Sequence, residues 1–159
     1  MIAGAGVIET VYPRASLLYR SDAHREKLIA ANVTQIIIVV AAMPGFSMDL
    51  VNRCLVAAEN GGMAALIALN KADLPECAAA LTALAPYRRL GYRVLPFSAK
   101  HDIGALRPHL AGQTNVLVGQ SGMGKSTIIN RLVPEAGARV AEVSAALKSG
   151  RHTTTHSQL

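Results

Sequence analysis

The sequence predicts an α/β fold in which a mostly parallel sheet is covered by helices on both faces. Between residues 34 and 132, apolar runs of strand length alternate with helical patterns of about 12 residues, and this alternation implies right-handed crossovers between parallel strands. One of these junctions is a glycine-rich stretch, residues 119–127, between an apolar run and a helical pattern. A chain of 159 residues is long enough to bury a core of this kind.

The first 32 residues carry a weaker pattern. Gly6–Tyr12 is strand-like and has no partner strand before it, so we interpret it as the last piece of a small β unit. Ser21–Asn32 is predicted to be a charged connector with a possible helical turn. Its cations could form a basic surface, although a solvated connector explains them equally well; they are Arg14, Arg20, His24, Arg25 and Lys27.

The regular part begins with Ile36–Val40, whose continuous apolar character predicts a strand buried on both faces. Ser47 can cap a helix that runs to about Asn60, because a serine hydroxyl accepts from the free N–H groups of the first turn. Gly61 and Gly62 then end this helix.

The remaining elements follow the same alternation of strand and helix. Further strands are predicted at Ala64–Leu69, Arg93–Phe97 and Asn115–Val118, and further helices at Pro75–Tyr87, Ile103–Leu110 and Ile128–Leu132. The polar end of the chain, residues 151–159, is predicted to be a mobile loop.

The glycine-rich stretch fits the pattern GxxxxGK[ST], which holds phosphate groups. The glycines let backbone N–H groups converge on phosphate oxygens, and the helix N-terminus adds partial positive charge. Lysine reaches the β- and γ-phosphates, and the serine hydroxyl can bind Mg²⁺. The predicted phosphate-binding residues are Gly119, Gln120, Ser121, Gly122, Met123, Gly124, Lys125, Ser126 and Thr127.

Two polar segments that follow strands predict a guanine-binding site. Asp73 can accept hydrogen bonds from guanine N1–H and N2–H₂, and adenine would leave that carboxylate unpaired. The base-contacting residues are predicted to be Asn70, Lys71 and Asp73 after the second strand of the regular part, and Ser98, Ala99 and Lys100 after the third. Taken alone, Asn70 and Asp73 could equally form a helix cap or an Asx turn.

Composition indicates the setting in which the protein acts. The net charge of +6 favours a polyanionic partner, nucleic acid before membrane. Cys54 and Cys77 lack metal-ligand spacing, which favours a reducing, cytoplasmic location. We expect no membrane association, because the longest apolar run, Ile36–Met43, is too short to span a bilayer.

The order of the motifs resembles that of circularly permuted GTPases, because NKAD and SAK precede the phosphate loop. The sequences of these motifs and of several flanking segments are most similar to those of the bacterial small-ribosomal-subunit biogenesis GTPases, the RsgA/EngC family. The similar stretches are Arg20–Asp22 with Arg25–Lys27, Ala30–Val33, Ile38–Ala42, Leu55–Glu59, Leu69–Leu74, Gly119–Thr127 and Gly150–Thr155.

This resemblance implies a permuted P-loop domain, at residues 33–159, after an OB-fold remnant and basic connector at residues 1–32. It implies a monomer that hydrolyses GTP to GDP and phosphate with Mg²⁺ as cofactor. The small ribosomal subunit and its rRNA would be the partners, would stimulate hydrolysis, and would require the protein in the late maturation of that subunit. Thr153, Thr154 and Thr155 would belong to switch I, where Thr154 would join Ser126 on Mg²⁺. His152 would position the attacking water, with a solvated loop histidine as the alternative.

The family pattern is incomplete in these 159 residues. They contain no DxPG after the switch and no zinc-binding domain, so we expect a truncated chain, with Zn²⁺ only in the missing domain. Two strands beside the phosphate-loop strand would be missing in whole or part, which leaves an edge exposed. Efficient hydrolysis is therefore in question. The alternatives are a nucleotide-gated RNA-binding module without turnover and an ATP-using P-loop protein, which Asp73 disfavours.

Overall fold

The computed structural model of the chain describes residues 9–21 and 26–137. Within these residues a two-stranded antiparallel sheet precedes a four-stranded parallel sheet with helices. The strands are β1 (Leu17–Ser21), β2 (Glu26–Ala31), β3 (Gln35–Ala41), β4 (Ala64–Asn70), β5 (Arg93–Pro96) and β6 (Asn115–Val118). The helices are α1 (Met48–Asn60), α2 (Cys77–Arg89), α3 (Arg107–Leu110) and α4 (Lys125–Leu132), with a 3₁₀ turn at Pro134–Ala136.

The parallel sheet confirms the predicted fold class. Its strands lie in the order β5, β4, β3, β6, and every neighbouring pair is parallel. β3 is central, and it is buried from Ile36 to Ala41, as a strand covered on both faces must be.

Each face of the sheet has its own apolar layer, since successive side chains of a strand point to opposite sides. Ile36, Ile38 and Val40 of β3 pack in one layer, under α1 and α2. Ile37 and Val39 pack in the other, with α4. The members that the helices and loops add are Val51, Leu55, Leu84 and Tyr87 on the first face and Phe97, Ile103, Leu106, Met123 and Ile128 on the second.

The prediction for the start of the chain is wrong. The connector predicted at Ser21–Asn32 forms strand β2 and the end of β1, and the described part of the strand-like piece, Glu9–Tyr12, forms no strand. Leu18 explains the hairpin, because it is 6 % exposed and joins the α1–α2 layer. The Ser16 hydroxyl also donates to the Val33 carbonyl at 2.6 Å, which ties the hairpin to the start of β3.

Local signals set the helix boundaries largely as predicted. The Ser47 hydroxyl accepts from the Leu50 N–H at 3.3 Å, and Gly61 ends α1. The predicted helix at Ile103–Leu110 is too long, because its first half forms turns in which Ile103 and Leu106 fill the core. α2 begins two residues later than predicted, and Phe97 lies just beyond β5.

β6 is an edge strand in the described part of the chain, because it pairs with β3 alone. All four of its residues are half-buried, in contrast to β3. Among the helices of the described residues, none is both long and apolar enough to cross a membrane.

Candidate functional site

The segments predicted to bind a nucleotide meet at one edge of the parallel sheet. Residues 70–73 follow β4, residues 98–100 follow β5, and residues 119–124 connect β6 to α4. Parallel strands end at the same edge of a sheet, and the crevice beyond their carboxyl ends is where α/β sheets bind ligands.

Asn70 holds two of these segments together. Its side-chain Nδ2 donates to the Met123 carbonyl at 2.9 Å, and its Oδ1 accepts from the Ala99 N–H at 2.9 Å. The side chain is 3 % exposed, so both bonds are shielded from water. The two bonds of the amide connect the phosphate loop to residues 98–100. The second N–H and the second lone pair of the amide are not used by these bonds, and the contact predicted between Asn70 and the base stays a prediction.

Two glycines make this close approach possible. A Cβ at Gly124 would overlap Asn70 Nδ2, and the residue has a φ of +93°, which side chains disfavour. A Cβ at Gly119 would overlap the Val39 carbonyl oxygen. The loop therefore needs glycine at both positions for its backbone to pack against β3 and Asn70.

Lys125 begins α4 and points back across the loop. Its Nζ donates to the Gly119 carbonyl at 2.6 Å and to the Gln120 carbonyl at 2.7 Å. Burial lowers the pKa of the ammonium group. An anion inside the loop would therefore meet a partly desolvated cation and the first N–H groups of a helix.

Asp73 stands at the same edge with its carboxylate accessible. His101 Nε2 lies 3.6 Å from Asp73 Oδ2, and the carboxylate side chain is 33 % exposed. The Ser98 hydroxyl is the main influence that lowers the pKa of Asp73, ahead of His101 and Lys100. Ser98 Oγ is buried without a well-formed hydrogen bond, so it acts as a nearby dipole. Asp73 is thus an ionised acceptor at neutral pH.

Lys71 has a left-handed backbone conformation, with φ at +61°. Its Nζ donates to the Met43 carbonyl at 2.9 Å. Burial lowers the pKa of Lys71, and the nearby Asp73 charge partly opposes that shift. The side chain therefore spans the crevice beside Asp73, the position from which its stem could cover a base.

Sequence reasoning missed three contacts around the site. The Ser47 N–H donates to Gln120 Oε1 at 2.8 Å, which connects the start of α1 to the phosphate loop. The Arg131 guanidinium donates to the Lys100 carbonyl. His101 stands beside Asp73. The chain positions that meet are up to 73 residues apart. Gln120 and Lys100 lie within predicted motifs and His101 follows one, but nothing in the sequence pairs Gln120 with Ser47 or Lys100 with Arg131.

The residues of the phosphate loop suit Mg²⁺. Ser126 lies in the first turn of α4 and is half-buried, so its hydroxyl is a hard oxygen donor beside the loop. The described residues contain no cluster of three acidic, histidine or cysteine side chains that could hold a metal alone. Mg²⁺ with few protein ligands normally completes its shell with phosphate oxygens and water.

The remaining predicted residues lie outside the described part of the chain. They are His152, Thr153, Thr154 and Thr155, together with the connector cations His24 and Arg25.

Comparisons with known proteins agree on one family. The model of the RsgA GTPase family matches residues 11–159. The chain is 58 % identical over 155 residues to the small ribosomal subunit biogenesis GTPase RsgA of Nitrosospira multiformis, covering 97 % of this chain and 50 % of that protein. It is 56 % identical over 153 residues to the protein of that name from Neisseria meningitidis, covering 96 % and 50 %. The chain spans about half the length of the curated relatives it matches.

Two solved structures resemble the described fold. YjeQ from Thermotoga maritima matches with a TM-score of 0.67 and 33 % identity, over 82 % of this chain and 46 % of that one. YloQ, a circularly permuted GTPase, matches with a TM-score of 0.56 and 28 % identity, over 80 % and 52 %. These likenesses confirm the fold predicted from the order of the motifs.

Proposed function

Because the chain belongs to the RsgA GTPase family, we propose that it binds GTP and GDP and hydrolyses GTP in ribosome biogenesis. One observation carries the proposal. Through two buried hydrogen bonds, Asn70 joins the phosphate loop to the Ser98–Lys100 segment, beside the ionised Asp73. A base and a phosphate chain bound at this edge would therefore contact segments that Asn70 holds in a fixed arrangement.

Guanine selection is assigned to Asp73. Its carboxylate can accept from both N1–H and N2–H₂ of guanine, whereas adenine has no donor at either position and would leave the charge unpaired. The Ala99 N–H is already used by Asn70, so we do not assign it to guanine O6. The stems of Lys71 and Lys100 remain the candidates for covering the base and the sugar.

The phosphates are assigned to the loop at Gly119–Thr127. Lys125 would exchange its two loop carbonyls for the β- and γ-phosphates. Ser126 would supply one ligand to Mg²⁺, which neutralises charge on the phosphates when bound. Thr154 is proposed as a second ligand within the switch I segment Thr153–Thr155, and His152 as the residue that positions water.

The cellular role follows the relatives, whose name assigns them to small-subunit biogenesis. We propose that hydrolysis is stimulated by the small ribosomal subunit during its late maturation, through contacts with rRNA. The protein would act as a cytoplasmic monomer that does not associate with membranes. Residues 1–32 would form the end of an OB-fold, and residues 33–159 the GTPase domain; Zn²⁺ would belong to a separate domain of the family.

The decisive experiment compares nucleotides on the purified chain. Titration with fluorescent GDP, in competition with GTP and ATP, should give at least about 100-fold preference for guanine, since a mispaired carboxylate enclosed by the base costs several kcal/mol. Phosphate release would then be measured with and without small subunits. Equal affinity for ATP and GTP would refute the assignment of Asp73.

A second function fits one observation. The net charge of +6 favours a polyanionic partner, and the chain could be a nucleotide-gated RNA-binding module without turnover. Similar affinities for GDP and GTP, with no subunit-stimulated phosphate release, would favour this function, whereas stimulated release by the 159-residue chain would exclude it.

A further inference from the structure

We infer that the surface at the amino-terminal end of β5 is a binding site for single-stranded RNA. The inference rests on the proposed function in ribosome assembly and adds a location and a mode of contact. The β5 surface consists of Arg88, Arg89, Leu90, Tyr92, Arg93 and His109. The arginines would contact phosphates, and an unpaired base would lie against Tyr92 and Leu90.

Positive charge is concentrated in the stretch of chain that contains this surface. Three of its cations, Arg88, Arg89 and Arg93, belong to the surface, whereas Lys100 lies beyond the opposite end of β5. Residues 77–115 contain five of the twelve Lys and Arg residues in the described part of the chain, and one of its eight Asp and Glu residues. The rest of the described chain carries equal numbers of cations and anions. The excess charge of the described residues therefore comes from the stretch between the start of α2 and the start of β6.

The cations of the β5 surface are not neutralised by carboxylates. The described residues contain two ion pairs, Arg53 with Asp49 and His101 with Asp73, and neither belongs to this surface. Arg88, Arg89 and Arg93 are all exposed. The charges are therefore available to a polyanion, which would release bound counterions as it docks.

Arg93 and His109 are held in a fixed arrangement. Arg93 NH1 lies 2.8 Å from His109 Nδ1, so the guanidinium donates to that nitrogen and leaves Nε2 as the protonated, donating atom. Both residues line a recess of about 340 Å³ at the start of β3, β4 and β5. The Arg88 guanidinium donates to the Val94 carbonyl at 3.1 Å, which holds it against the residue that follows Arg93.

An apolar site for a base adjoins these donors. Tyr92 lines the recess that contains Arg93 and also a second, more apolar recess of about 360 Å³ against α1. Leu90 lines the second recess and is 73 % exposed. The Tyr92 hydroxyl donates to Glu59 Oε1 at 2.9 Å, which fixes the ring and occupies the nearest carboxylate.

This combination favours single-stranded RNA over other polyanions. Arg88 and Arg89 alone could be explained by the negative end of α2. Arg93, His109, the exposed Leu90 and the half-buried Tyr92 lie beyond that helix. An aromatic face beside arginines is how unpaired bases are bound. An A-form duplex would present only phosphates and sugars here, and it would leave the apolar recess empty.

The β5 surface lies at the opposite end of the sheet from the nucleotide site. β3 spans seven residues, so the two ends are roughly 20 Å apart. RNA and nucleotide could therefore be bound together, and variants of the β5 surface should leave nucleotide affinity unchanged. That separation distinguishes failure of this inference from failure of the proposed function.

The test measures binding of the 159-residue chain to a fluorescent oligouridine of about 12 nucleotides by anisotropy, over a series of salt concentrations. Arg93→Gln and Arg89→Gln should each weaken binding about fivefold. The double variant should flatten the plot of log affinity against log salt by about 0.7 for each phosphate that it no longer neutralises. Tyr92→Ala should weaken binding about tenfold, and Tyr92→Phe should retain most of the affinity because the ring remains.

Arg53→Gln is the matched control, since it removes one exposed arginine from α1. Circular dichroism and GDP affinity confirm that each variant is folded. Equal losses in Arg53→Gln and Arg93→Gln would overturn the inference, because they would indicate nonspecific attraction by net charge. Tighter binding to an RNA duplex of the same length, or equal competition by polyglutamate, would also overturn it.

Discussion

The base side and the phosphate side of the nucleotide site differ in how firmly the described chain supports them. On the base side, β4 is buried from Leu66 to Asn70, Phe97 and Ala99 are buried, and both ends of the Asn70 amide are bonded. On the phosphate side, β6 is a half-buried edge strand, and Lys125 bonds to carbonyls of its own loop. The base side is therefore already organised without a ligand. On the phosphate side, the main charge contact, between Lys125 and a phosphate group, would form only when a ligand binds.

The largest effect should come from breaking the connection between the two sides. Asn70→Ala would leave the Ala99 N–H and the Met123 carbonyl buried without partners, which costs about 3 kcal/mol of the free energy of unfolding. Chemical denaturation measures this loss. Asn52→Ala, on the surface of α1, is the control and should cost less than about 1 kcal/mol, because its bond to the Tyr87 hydroxyl is only part-buried. Similar values for both would show that the two sides are not coupled.

The second prediction isolates the phosphate side. Lys125→Ala should weaken GDP binding about 100-fold, since a charge-assisted contact to phosphate contributes up to about 3 kcal/mol. The far-ultraviolet circular dichroism should be unchanged, because the Lys125 ammonium group bonds only to loop carbonyls. Fluorescent-GDP titration is the measurement. Unchanged affinity would mean that the loop is only a turn.

The third prediction isolates the base side. Asp73→Asn should weaken GTP and GDP binding by about 2 kcal/mol, because an amide cannot accept from both guanine donors. The change should also raise relative affinity for xanthine nucleotides, whose C2 oxygen can accept from the new amide. Competition titrations with guanine, adenine and xanthine nucleotides test this, and reduced affinity for all bases alike would contradict a role in base selection.

The smallest expected effect is a pH dependence that only the phosphate side should show. Burial lowers the pKa of Lys125 in the free protein, and phosphate binding favours its charged form. GDP affinity should therefore be full below that pKa and begin to decline as pH rises through it. A fall of about threefold at the upper end of the measurable range would be the first part of the loss expected for Lys125→Ala. Lys125→Arg stays charged throughout, so the ratio of the two affinities removes the titration of guanine itself. A constant ratio from about pH 7 to about pH 10 would contradict the prediction.

The sequence could predict the local elements of the site but not the long-range contacts between them. The parallel sheet and the site segments follow from local patterns, because GxxxxGK[ST], NKAD and SAK each lie at the end of an apolar strand. Asn70 and Met123 are 53 residues apart, and no spacing rule indicates that their polar atoms meet. Sequence reasoning therefore placed the predicted site residues at one edge of the sheet, and the atoms that Asn70 bonds to come from the structure.

The N-terminal hairpin was missed for a different physical reason. β1 and β2 bury few residues, since Tyr19 and Leu28 are at least half exposed and the register shifts between Leu18 and Tyr19. A strand with one buried anchor does not show the alternation on which strand prediction depends. The charged residues of the segment, among them Arg20 and Lys27, made it resemble a solvated connector.

The strand order also sets the sequence of events during synthesis. β3, β4 and β5 are consecutive in the chain and neighbours in the sheet, so this half of the sheet can form once residue 100 has left the ribosome. β6 must return across about 75 residues to pair with the far side of β3, and this pairing forms late. A nascent chain of this protein would thus carry paired β3, β4 and β5 while Asn70 still lacks the Met123 carbonyl, and the crevice would be completed only when the phosphate loop and α4 are free.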